Sequence, residues 1–425
     1  MRPLRRCVLL PLLAHLPACA PRPPDLILVV LDTVRSDYLS ACGHPSPTSP
    51  NLEALTARPE SSFTCLAEAP ATWTIPSHAS FLTGLHYHDH GAGYGGFGNP
   101  SPLPTEVETL AQGVADRYQT LLVSGNPLLD KAGLERGFES VVVAERYGEL
   151  YGDALVAALD GALAARDPSR PLFLLLNISD AHMPWASVPA GHAWLPETRG
   201  LRSSRHEAEL RRRLYRGRMD EDEEAAYLAR RRRLYAHAVE RADRTLGDAL
   251  AVLRAAGLLR RDYRLVLTSD HGERLGEQRI FGHGDKDLRE SVTRVPLLWM
   301  TDRGRPVRLP APVSALEAHS LLLDGGLRGP PVIAAGYPKS VAWWEGEEKL
   351  VWMGEGPLVR YPTLDDAGDG TAVEDHPRKA ELDRLRARLL ERAEISRQAR
   401  DDAERERLGR ELRALGYVDD PSESP

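Results

Sequence analysis

Continuous apolar runs that end in an acidic residue are the feature of this sequence that most restricts its fold. "DLILVVLD", residues 25–32, is apolar between its two acids and ends at Asp32. A run without polar alternation predicts a strand that is buried on both faces of a parallel sheet. We therefore expect Asp32 to lie at the carboxyl end of such a strand.

Further apolar runs alternate with helical patterns along the chain. The runs are "QTLLVSG", "ESVVVAE", "PLFLLLNISD", "YRLVLTSDHG" and "VPLLWMT", and the helical patterns are "TEVETLAQGVADR", "GDALVAALDGALAARD" and "YAHAVERADRTLGDALAVLRAAGL". This alternation predicts an α/β fold with a large, mostly parallel central sheet flanked by helices on both faces. Ligands of such sheets bind beyond the carboxyl ends of the strands, where Asp32, Asp180 and Asp270 are expected.

The pattern changes near residue 330, which predicts a domain boundary. "KSVAWWEGEEKLVWMGEGPLVRY" alternates like a small antiparallel sheet with a hairpin, and a charged amphipathic helix follows it. We expect a main α/β domain over residues 25–330, a C-terminal subdomain with a small sheet and a helix over residues 331–417, and a disordered tail over residues 418–425.

Charge gives little support to a nucleic-acid partner. The formal net charge is -7, and the basic and acidic blocks around residues 200–233 largely cancel. We interpret this Arg-rich stretch as a solvated helical insertion, with a patch for a membrane surface or a polyanion as the alternative.

The first residues predict export. "MRPLRR" precedes the apolar "CVLLPLLAHLPA", which is too short to span a bilayer and fits a signal peptide over residues 1–19, followed by a linker over residues 20–24. "LPAC" resembles a bacterial lipoprotein signal, so Cys19 would carry a lipid that tethers a periplasmic protein to a membrane. An ordinary cleaved signal is the alternative. Cys42 and Cys65 form a disulfide or remain two buried thiols, and spacing alone does not decide between these.

Two short stretches carry polar groups suited to chemistry. In "WTIPSHASFLTG", Thr74 opens a predicted helix, whose N-terminus favours anions, although a plain turn into a helix explains the same pattern. In "LTSDHGERLGE", Asp270 and His271 can converge only if the chain turns after the strand, which Gly272 permits. Together with Asp32, these residues form a mixed oxygen and nitrogen set suited to a divalent cation.

A series of such stretches, in order along nearly the whole chain, resembles the sulfatase-like branch of the alkaline phosphatase superfamily. They are "LILVVLDTVRSDYLSACG", "APATWTIPSHASFLTGLHYHDHG", "GLERGFE", "DAHMPW", "TSDHGERLGE", "GHGDKDL" and "LRALGY". The resemblance implies the sulfatase fold and a divalent metal ion held by Asp32, Thr74, Asp270 and His271. Because Thr33 stands where many sulfatases have a further acidic ligand, Zn²⁺ or Mn²⁺ is favoured over Ca²⁺ or Mg²⁺.

Thr74 stands where sulfatases carry the Cys or Ser that becomes formylglycine. Threonine cannot supply that aldehyde, whereas a threonine oxygen can attack phosphorus. We therefore predict an exported, metal-dependent hydrolase of sulfate or phosphate esters, with phosphoesters or phosphodiesters favoured, acting on a small-molecule, glycan or lipid ester. The alternatives are a phosphoethanolamine- or phosphoglycerol-type transferase and an inactive binding protein with the same fold.

The resemblance also implies roles for several other residues. His182 and His283 match positions that contact ester oxygens or protonate the leaving group, and Asp180 would orient His182 or join both histidines in a second metal site. His78 replaces an arginine of the family motif and would contact substrate. Further candidates are His90 at the pocket mouth, His86 and His88 beside it as exposed loop residues, and Lys286 as a distant substitute for a substrate-binding lysine.

Overall fold

The computed structural model describes residues 22–94, 100–200, 205–260, 262–284, 288–303, 306–336, 340–352, 356–361 and 370–398, without the side chains of residues 205 and 393–398. The predicted signal peptide and C-terminal tail, with Cys19 and Lys286, lie outside these residues. Within the described ranges, no helix combines the length and the apolar character needed to cross a bilayer.

The described chain alternates strands and helices. The strands are β1 (Asp25–Leu31), β2 (Ser61–Glu68), β3 (Gln119–Ser124), β4 (Ser140–Val143), β5 (Leu172–Ile178), β6 (Tyr263–Thr268), β7 (Arg274–Leu275), β8 (Phe281–Gly282), β9 (Arg294–Thr301), β10 (Val313–Ser314), β11 (Val332–Gly336), β12 (Ser340–Glu345), β13 (Glu348–Trp352), β14 (Leu358–Tyr361) and β15 (Thr371–Val373). The α-helices are α1 (Pro50–Thr56), α2 (Thr74–Thr83), α3 (Tyr87–His90), α4 (Leu110–Val114), α5 (Asp153–Ala164), α6 (Arg205–Tyr215), α7 (Glu221–Ala255), α8 (Glu290–Thr293), α9 (Glu317–Leu323) and α10 (Lys379–Gln398).

The main sheet has eight strands in the order β10-β2-β9-β6-β1-β5-β3-β4. The strands β6, β1, β5, β3 and β4 are parallel, as predicted, whereas β9 runs antiparallel to both β6 and β2. The α/β fold class is thus confirmed, with a sheet that is mixed at one side. Every residue of β1 is buried, because β1 lies between β6 and β5 inside the sheet, with helices on both faces.

The helix predicted from "TEVETLAQGVADR" is right in place but wrong in length, since only α4 forms there. Thr109 accepts a hydrogen bond from the backbone N–H of Gln112, whose side chain in turn accepts one from the backbone N–H of Thr109. This capping box begins the helix at Leu110 and leaves the preceding residues outside it.

Most of the described part of the Arg-rich stretch of residues 200–233 is helical and forms α6 and the beginning of α7. The stretch is not solvated throughout, because Leu214, Tyr227 and Arg231 are buried. Helix α7 continues far beyond this stretch and packs along α5 and α1. The insertion is therefore anchored to the body of the domain.

Cys42 and Cys65 form a disulfide, with their Cα atoms 5.7 Å apart. Cys42 ends a short 3₁₀ helix after β1, and Cys65 lies on β2. The bridge decides between the two alternatives that spacing left open, and it ties the loop after β1 to the antiparallel side of the sheet.

The predicted small antiparallel sheet is confirmed, with the order β11-β12-β13-β14-β15. It joins the main domain through Lys349 on β13, whose side chain is fully buried. Lys349 Nζ lies 2.7 Å from Glu290 Oε1 of α8 and donates a hydrogen bond to the carbonyl of Leu288. The Trp344 ring covers the ammonium group at 4.8 Å, so a buried ion pair connects the small sheet to α8 of the main domain.

We expect Lys349→Met to lower the free energy of unfolding by about 3 kcal/mol, because removing one partner of a buried ion pair leaves the other charge less compensated. Arg294 also pairs with Glu290, which keeps the loss at the lower end of the usual range. Urea denaturation would measure it. Lys131→Met is the matched control, since Lys131 pairs with Asp130 near the surface and should cost less than about 1 kcal/mol. Equal small losses in both variants would contradict the anchoring role of Lys349.

Candidate active site

Polar residues follow four neighbouring strands at one edge of the main sheet. Asp32 follows β1, Asn126 follows β3, Ser179 follows β5 and Asp270 follows β6. Because these strands are adjacent and parallel in the order β6-β1-β5-β3, their carboxyl ends meet at this edge. The predicted location of the site is thus the place where these side chains gather.

Asp32, Asp270 and His271 bring one ligand atom each to within 4.8 Å of one another. All three side chains are fully buried. Within the described part of the chain, no hydrogen bond of acceptable geometry reaches Asp32 Oδ1, Asp270 Oδ2 or His271 Nε2. Buried polar atoms without partners are costly, and two carboxylate oxygens beside an imidazole nitrogen are a common donor set for a divalent cation. The residues present therefore fit such an ion.

Hydrogen bonds orient each of these groups toward the same point. Asp270 Oδ1 accepts the backbone N–H groups of Thr33 and His271, both at 3.0 Å, which leaves Oδ2 facing the cluster. His271 Nδ1 lies 2.9 Å from the carbonyl of Gly272 and donates its hydrogen there, so Nε2, 3.3 Å from Asp270 Oδ2, is the nitrogen that faces the cluster. Gly272 permits the required turn, because a Cβ there would lie 2.2 Å from the carbonyl oxygen of Ser291.

The electrostatics of the cluster show an excess of negative charge. Burial and the neighbouring Asp270 carboxylate raise the pKa of Asp32. Burial alone would lower the pKa of His271, but Asp270 and Asp32 outweigh it and raise that pKa to about 9. Without a cation, the cluster therefore holds a proton on atoms that a cation would also bind, so the proton and the cation compete.

Thr33 adopts a backbone conformation that β-branched residues rarely take, with φ of 60°. The conformation aims its N–H at Asp270, and Tyr235 of α7 donates a hydrogen bond to its carbonyl at 2.5 Å. Strain of this kind costs about 1–3 kcal/mol and persists where the surroundings enforce it. The backbone N–H of Thr33 thus contacts Asp270, a residue of the cluster. The family resemblance implied an acidic side chain at this position.

Thr74 is the first residue of α2 and is fully buried beside the cluster. Asn126 Nδ2 donates one hydrogen to Thr74 Oγ1 at 3.2 Å and another to Asp32 Oδ2 at 2.5 Å. Asn126 Oδ1 accepts from Tyr147 and from the backbone of Leu128, so the whole amide is engaged. Asn126 therefore fixes the threonine oxygen next to the aspartate, a role that our sequence analysis missed, although Asn126 follows an apolar run as Asp32 does.

His182 and His283 form a second group next to the first. The His283 ring lies 4.2 Å from the His271 ring and 5.5 Å from the His182 ring, and Tyr147 stacks on His182 at 4.0 Å. His182 Nδ1 lies 2.7 Å from the carbonyl of Met183, and His283 Nδ1 lies 2.7 Å from Glu273 Oε2. With Nδ1 engaged in both rings, Nε2 is the nitrogen that would exchange a proton with an ester.

Burial would raise the pKa of Glu273, but His283 and then the buried guanidinium of Arg231 outweigh it and lower that pKa. Burial and the neighbouring His271 lower the pKa of His283 to about 4. The pair is therefore a carboxylate and a neutral imidazole when no cation occupies the cluster.

Asp180 lies apart from His182 despite its closeness in sequence. Its carboxylate accepts from Thr245 at 3.2 Å and from the backbone of Gly152 at 3.3 Å, and Arg241 lies 3.4 Å away. These contacts join the end of β5 to α5 and α7. These bonds give Asp180 a structural role, and His182 Nδ1 contacts the carbonyl of Met183. The predicted second metal site that includes Asp180 stays a prediction.

His78 also differs from its predicted role. Its Nδ1 donates to the carbonyl of Thr74 at 3.0 Å, and its Nε2 accepts from Asn177 at 3.2 Å. Burial lowers the pKa of His78, so the ring is neutral and does not replace the cation of the family motif. We correct its predicted contact with substrate, because both nitrogens are used inside the protein.

The histidines of "LHYHDHG" lie around α3 rather than on an exposed loop. His90 is fully buried, with Nε2 3.0 Å from Ser80 Oγ and Nδ1 accepting from the backbone of Ala92. His88 is buried and His86 is partly buried, with the two rings stacked 5.2 Å apart. The predicted place at the pocket mouth is corrected, since these rings pack α3 against its surroundings.

A second group of metal-ligand types, His192, His237 and Glu240, lies near the surface of α7. His192 Nδ1 accepts the backbone N–H of Leu195 at 3.2 Å, so its Nε2 carries the hydrogen that it donates to Glu240 at 2.8 Å. Since the lone pair of His192 Nδ1 is used by the bond from Leu195 and Nε2 carries a hydrogen, this group is a hydrogen-bonded cluster.

Comparisons with known proteins agree with this geometry. A family model described as Sulfatase matches residues 24–323. Similar solved structures include the phosphonate monoester hydrolase of Agrobacterium radiobacter, with 18% identity, a TM-score of 0.60, and coverage of 88% of this chain and 96% of that chain. A protein from a glycosaminoglycan-metabolism locus of Bacteroides thetaiotaomicron has 15% identity, a TM-score of 0.60, and coverage of 88% and 97%. No curated protein sequence matches the chain.

A mixed sheet with acids and imidazoles at its carboxyl edge, and a small antiparallel sheet beside it, defines the class as the alkaline phosphatase fold. Within that class, the match over residues 24–323 shows that the chain belongs to the sulfatase family.

Proposed function

We propose that this chain is a metal-dependent hydrolase in which Thr74 attacks an anionic ester, with phosphate monoesters or diesters as the favoured substrates. The observation that carries the proposal is the position of Thr74 Oγ1, which Asn126 holds beside Asp32 and the unpartnered atoms of Asp270 and His271. A divalent cation bound by Asp32, Asp270 and His271 would lower the pKa of the threonine hydroxyl and offset charge on the ester oxygens. The imidazole donor favours Zn²⁺ or Mn²⁺ over Ca²⁺ or Mg²⁺.

The reaction has two halves. Thr74 Oγ1, which has lost its hydrogen to solvent, forms a bond to phosphorus while the bond between phosphorus and the alcohol oxygen breaks. The departing oxygen takes a hydrogen from Nε2 of His182 or His283, which has first taken that hydrogen from solvent. A water molecule then attacks the phosphothreonine and restores the threonine, releasing phosphate from a monoester substrate or a phosphate monoester from a diester substrate.

Phosphorus is favoured over sulfur because of the nucleophile. An aldehyde hydrate has a second hydroxyl that can expel sulfate, whereas a threonine ester must be resolved by attack of water. Phosphothreonine is open to that attack at the phosphorus atom. The fold neighbours, a phosphonate monoester hydrolase and a glycosaminoglycan-metabolism protein, are compatible with either ester.

We expect purified protein to hydrolyse 4-nitrophenyl phosphate or bis-4-nitrophenyl phosphate, and to act poorly on 4-nitrophenyl sulfate, because no formylglycine can form at Thr74. Release of 4-nitrophenol from each ester, at equal concentration and with added Zn²⁺ or Mn²⁺, measures the preference. Mass spectrometry of acid-quenched enzyme should find phosphate on the peptide that contains Thr74. Activity confined to the sulfate ester would overturn the preference for phosphorus.

We also propose that the protein is exported and held at a membrane through Cys19. The Cys42–Cys65 disulfide supports export, because such bridges persist in oxidising compartments.

A further inference from the structure

A two-stranded ladder next to the active site places Glu273 opposite His283. Strands β7 and β8 pair Arg274 with Gly282 and Leu275 with Phe281. The next pair of this antiparallel register joins residue 273 to residue 283, one position beyond the ladder. The hairpin therefore fixes the two side chains as cross-strand neighbours.

The contact between them is a short hydrogen bond in a buried place. His283 Nδ1 lies 2.7 Å from Glu273 Oε2, and Glu273 is only 3% exposed. An ionised carboxylate only accepts hydrogen bonds, so Nδ1 must carry the hydrogen. His283 is the one hydrogen-bond partner that the Glu273 carboxylate has among the described residues.

A buried cation lies near this pair. Arg231 of α7 is 2% exposed, and its guanidinium carbon lies 4.1 Å from the Phe281 ring and 5.2 Å from the Trp185 ring. Phe281 precedes His283 by two residues, and Trp185 follows His182 by three. The guanidinium thus sits among residues that flank both active-site histidines.

We infer that Glu273 is a positioning residue that holds His283 with Nδ1 protonated and Nε2 directed at the reacting ester, and that Arg231 supports it. This rests on the proposed function, in which an imidazole delivers a hydrogen to the departing alcohol. His283 takes a hydrogen from solvent at Nε2 and gives it to the alcohol oxygen as the phosphorus–oxygen bond breaks. The hydrogen bond to Glu273 is kept at Nδ1, and the negative charge of Glu273 stabilises the imidazolium between these events.

The dependence of rate on the leaving group tests this inference. An alkyl alcohol leaves poorly without a hydrogen, whereas 4-nitrophenol leaves readily as an anion. We expect Glu273→Ala to lower kcat for an alkyl phosphoester about 100-fold, the upper range for removal of a carboxylate that supports an active-site histidine. The 4-nitrophenyl ester should lose only a few-fold in the same variant, and KM should change little for both esters.

Variants of similar shape separate positioning from folding. Glu273→Gln keeps the volume and an acceptor oxygen, so we expect about a 10-fold loss on the alkyl ester. Glu240→Gln is the matched control, because Glu240 makes an equivalent 2.8 Å bond to His192 outside the site, and it should retain full activity. Thermal melting and metal content, measured for each variant, report damage to the fold or to the neighbouring His271.

A double variant tests whether Glu273 acts through His283 or independently of it. If Glu273 acts through His283, Glu273→Ala combined with His283→Asn should be no slower than His283→Asn alone. Multiplied losses, or equal losses on both esters in a metal-loaded and folded variant, would overturn the inference while leaving the proposed function intact. Failure of wild-type protein to cleave any ester, or wild-type rates in Thr74→Val, would instead reject the proposed function.

Discussion

Thr74→Val should abolish ester hydrolysis while leaving the fold intact. Valine keeps the shape of threonine but has no oxygen to form the bond to phosphorus. Removing the nucleophile of a hydrolase usually costs about 10⁴-fold to 10⁶-fold in kcat. Because Asn126 keeps its hydrogen bond to Asp32 in the variant, the local packing has little reason to change. Initial rates on the best phosphoester, compared with thermal melting of the same sample, would measure the effect.

Two controls make this result specific. Thr74→Ser keeps a hydroxyl at the same place and should retain activity within about 10-fold of wild type. Thr83→Val makes the same chemical change at the other end of α2, where the hydroxyl donates to the carbonyl of Ala79 and accepts from the backbone N–H of Leu85, and it should be fully active. Turnover by Thr74→Val at more than a small fraction of the wild-type rate would show that another group attacks the ester.

The parallel part of the sheet could be predicted from the sequence because its inner strands are buried on both faces and therefore mostly apolar, while β4 at the edge is largely half-buried but still carries a short apolar run. β1 and β5 are inner strands of this kind, and every residue in them is buried. β2 was not predicted, because "SSFTCLAE" is mostly half-buried and carries no continuous apolar run. The antiparallel direction of β9 was equally hidden, because its apolar run is the same in either direction.

The cluster of Asp32, Asp270 and His271 could be predicted from the sequence for a related reason. Asp32 and Asp270 each follow a buried strand, and parallel strands gather their carboxyl ends. Asn126 and Glu273 were not found, because their roles depend on which strand lies next to which and on the register of a short hairpin. The corrected roles of His78 and His90 have a different cause, since burial of a histidine depends on tertiary packing around α2 and α3.

We expect the metal ion to have the second large effect, on both the melting temperature and the activity. We expect Zn²⁺ or Mn²⁺ to raise the melting temperature of chelator-treated wild-type protein, and to do so more than Ca²⁺ or Mg²⁺. An ion at 1,000 times its dissociation constant stabilises the folded state by about 4 kcal/mol. The same ions should restore activity, which chelation removes. Differential scanning fluorimetry across the four ions, with activity measured in parallel, provides both readouts.

Asp270→Asn should lower the melting temperature much more with an ion than without one. Without an ion, the Asp270 carboxylate lies 3.3 Å from the protonated His271 ring, and the variant loses that pairing while the asparagine Oδ1 still accepts the N–H groups of Thr33 and His271. Because the variant also loses a ligand of the cation, we expect Zn²⁺ to stabilise it much less than the wild type, so the difference in melting temperature between the two proteins should widen when Zn²⁺ is added. Asp248→Asn, an exposed change on α7, should follow the wild type in both conditions. A variant that melts lower than the wild type by the same amount with and without the ion would mean that Asp270 supports the fold and does not bind a cation.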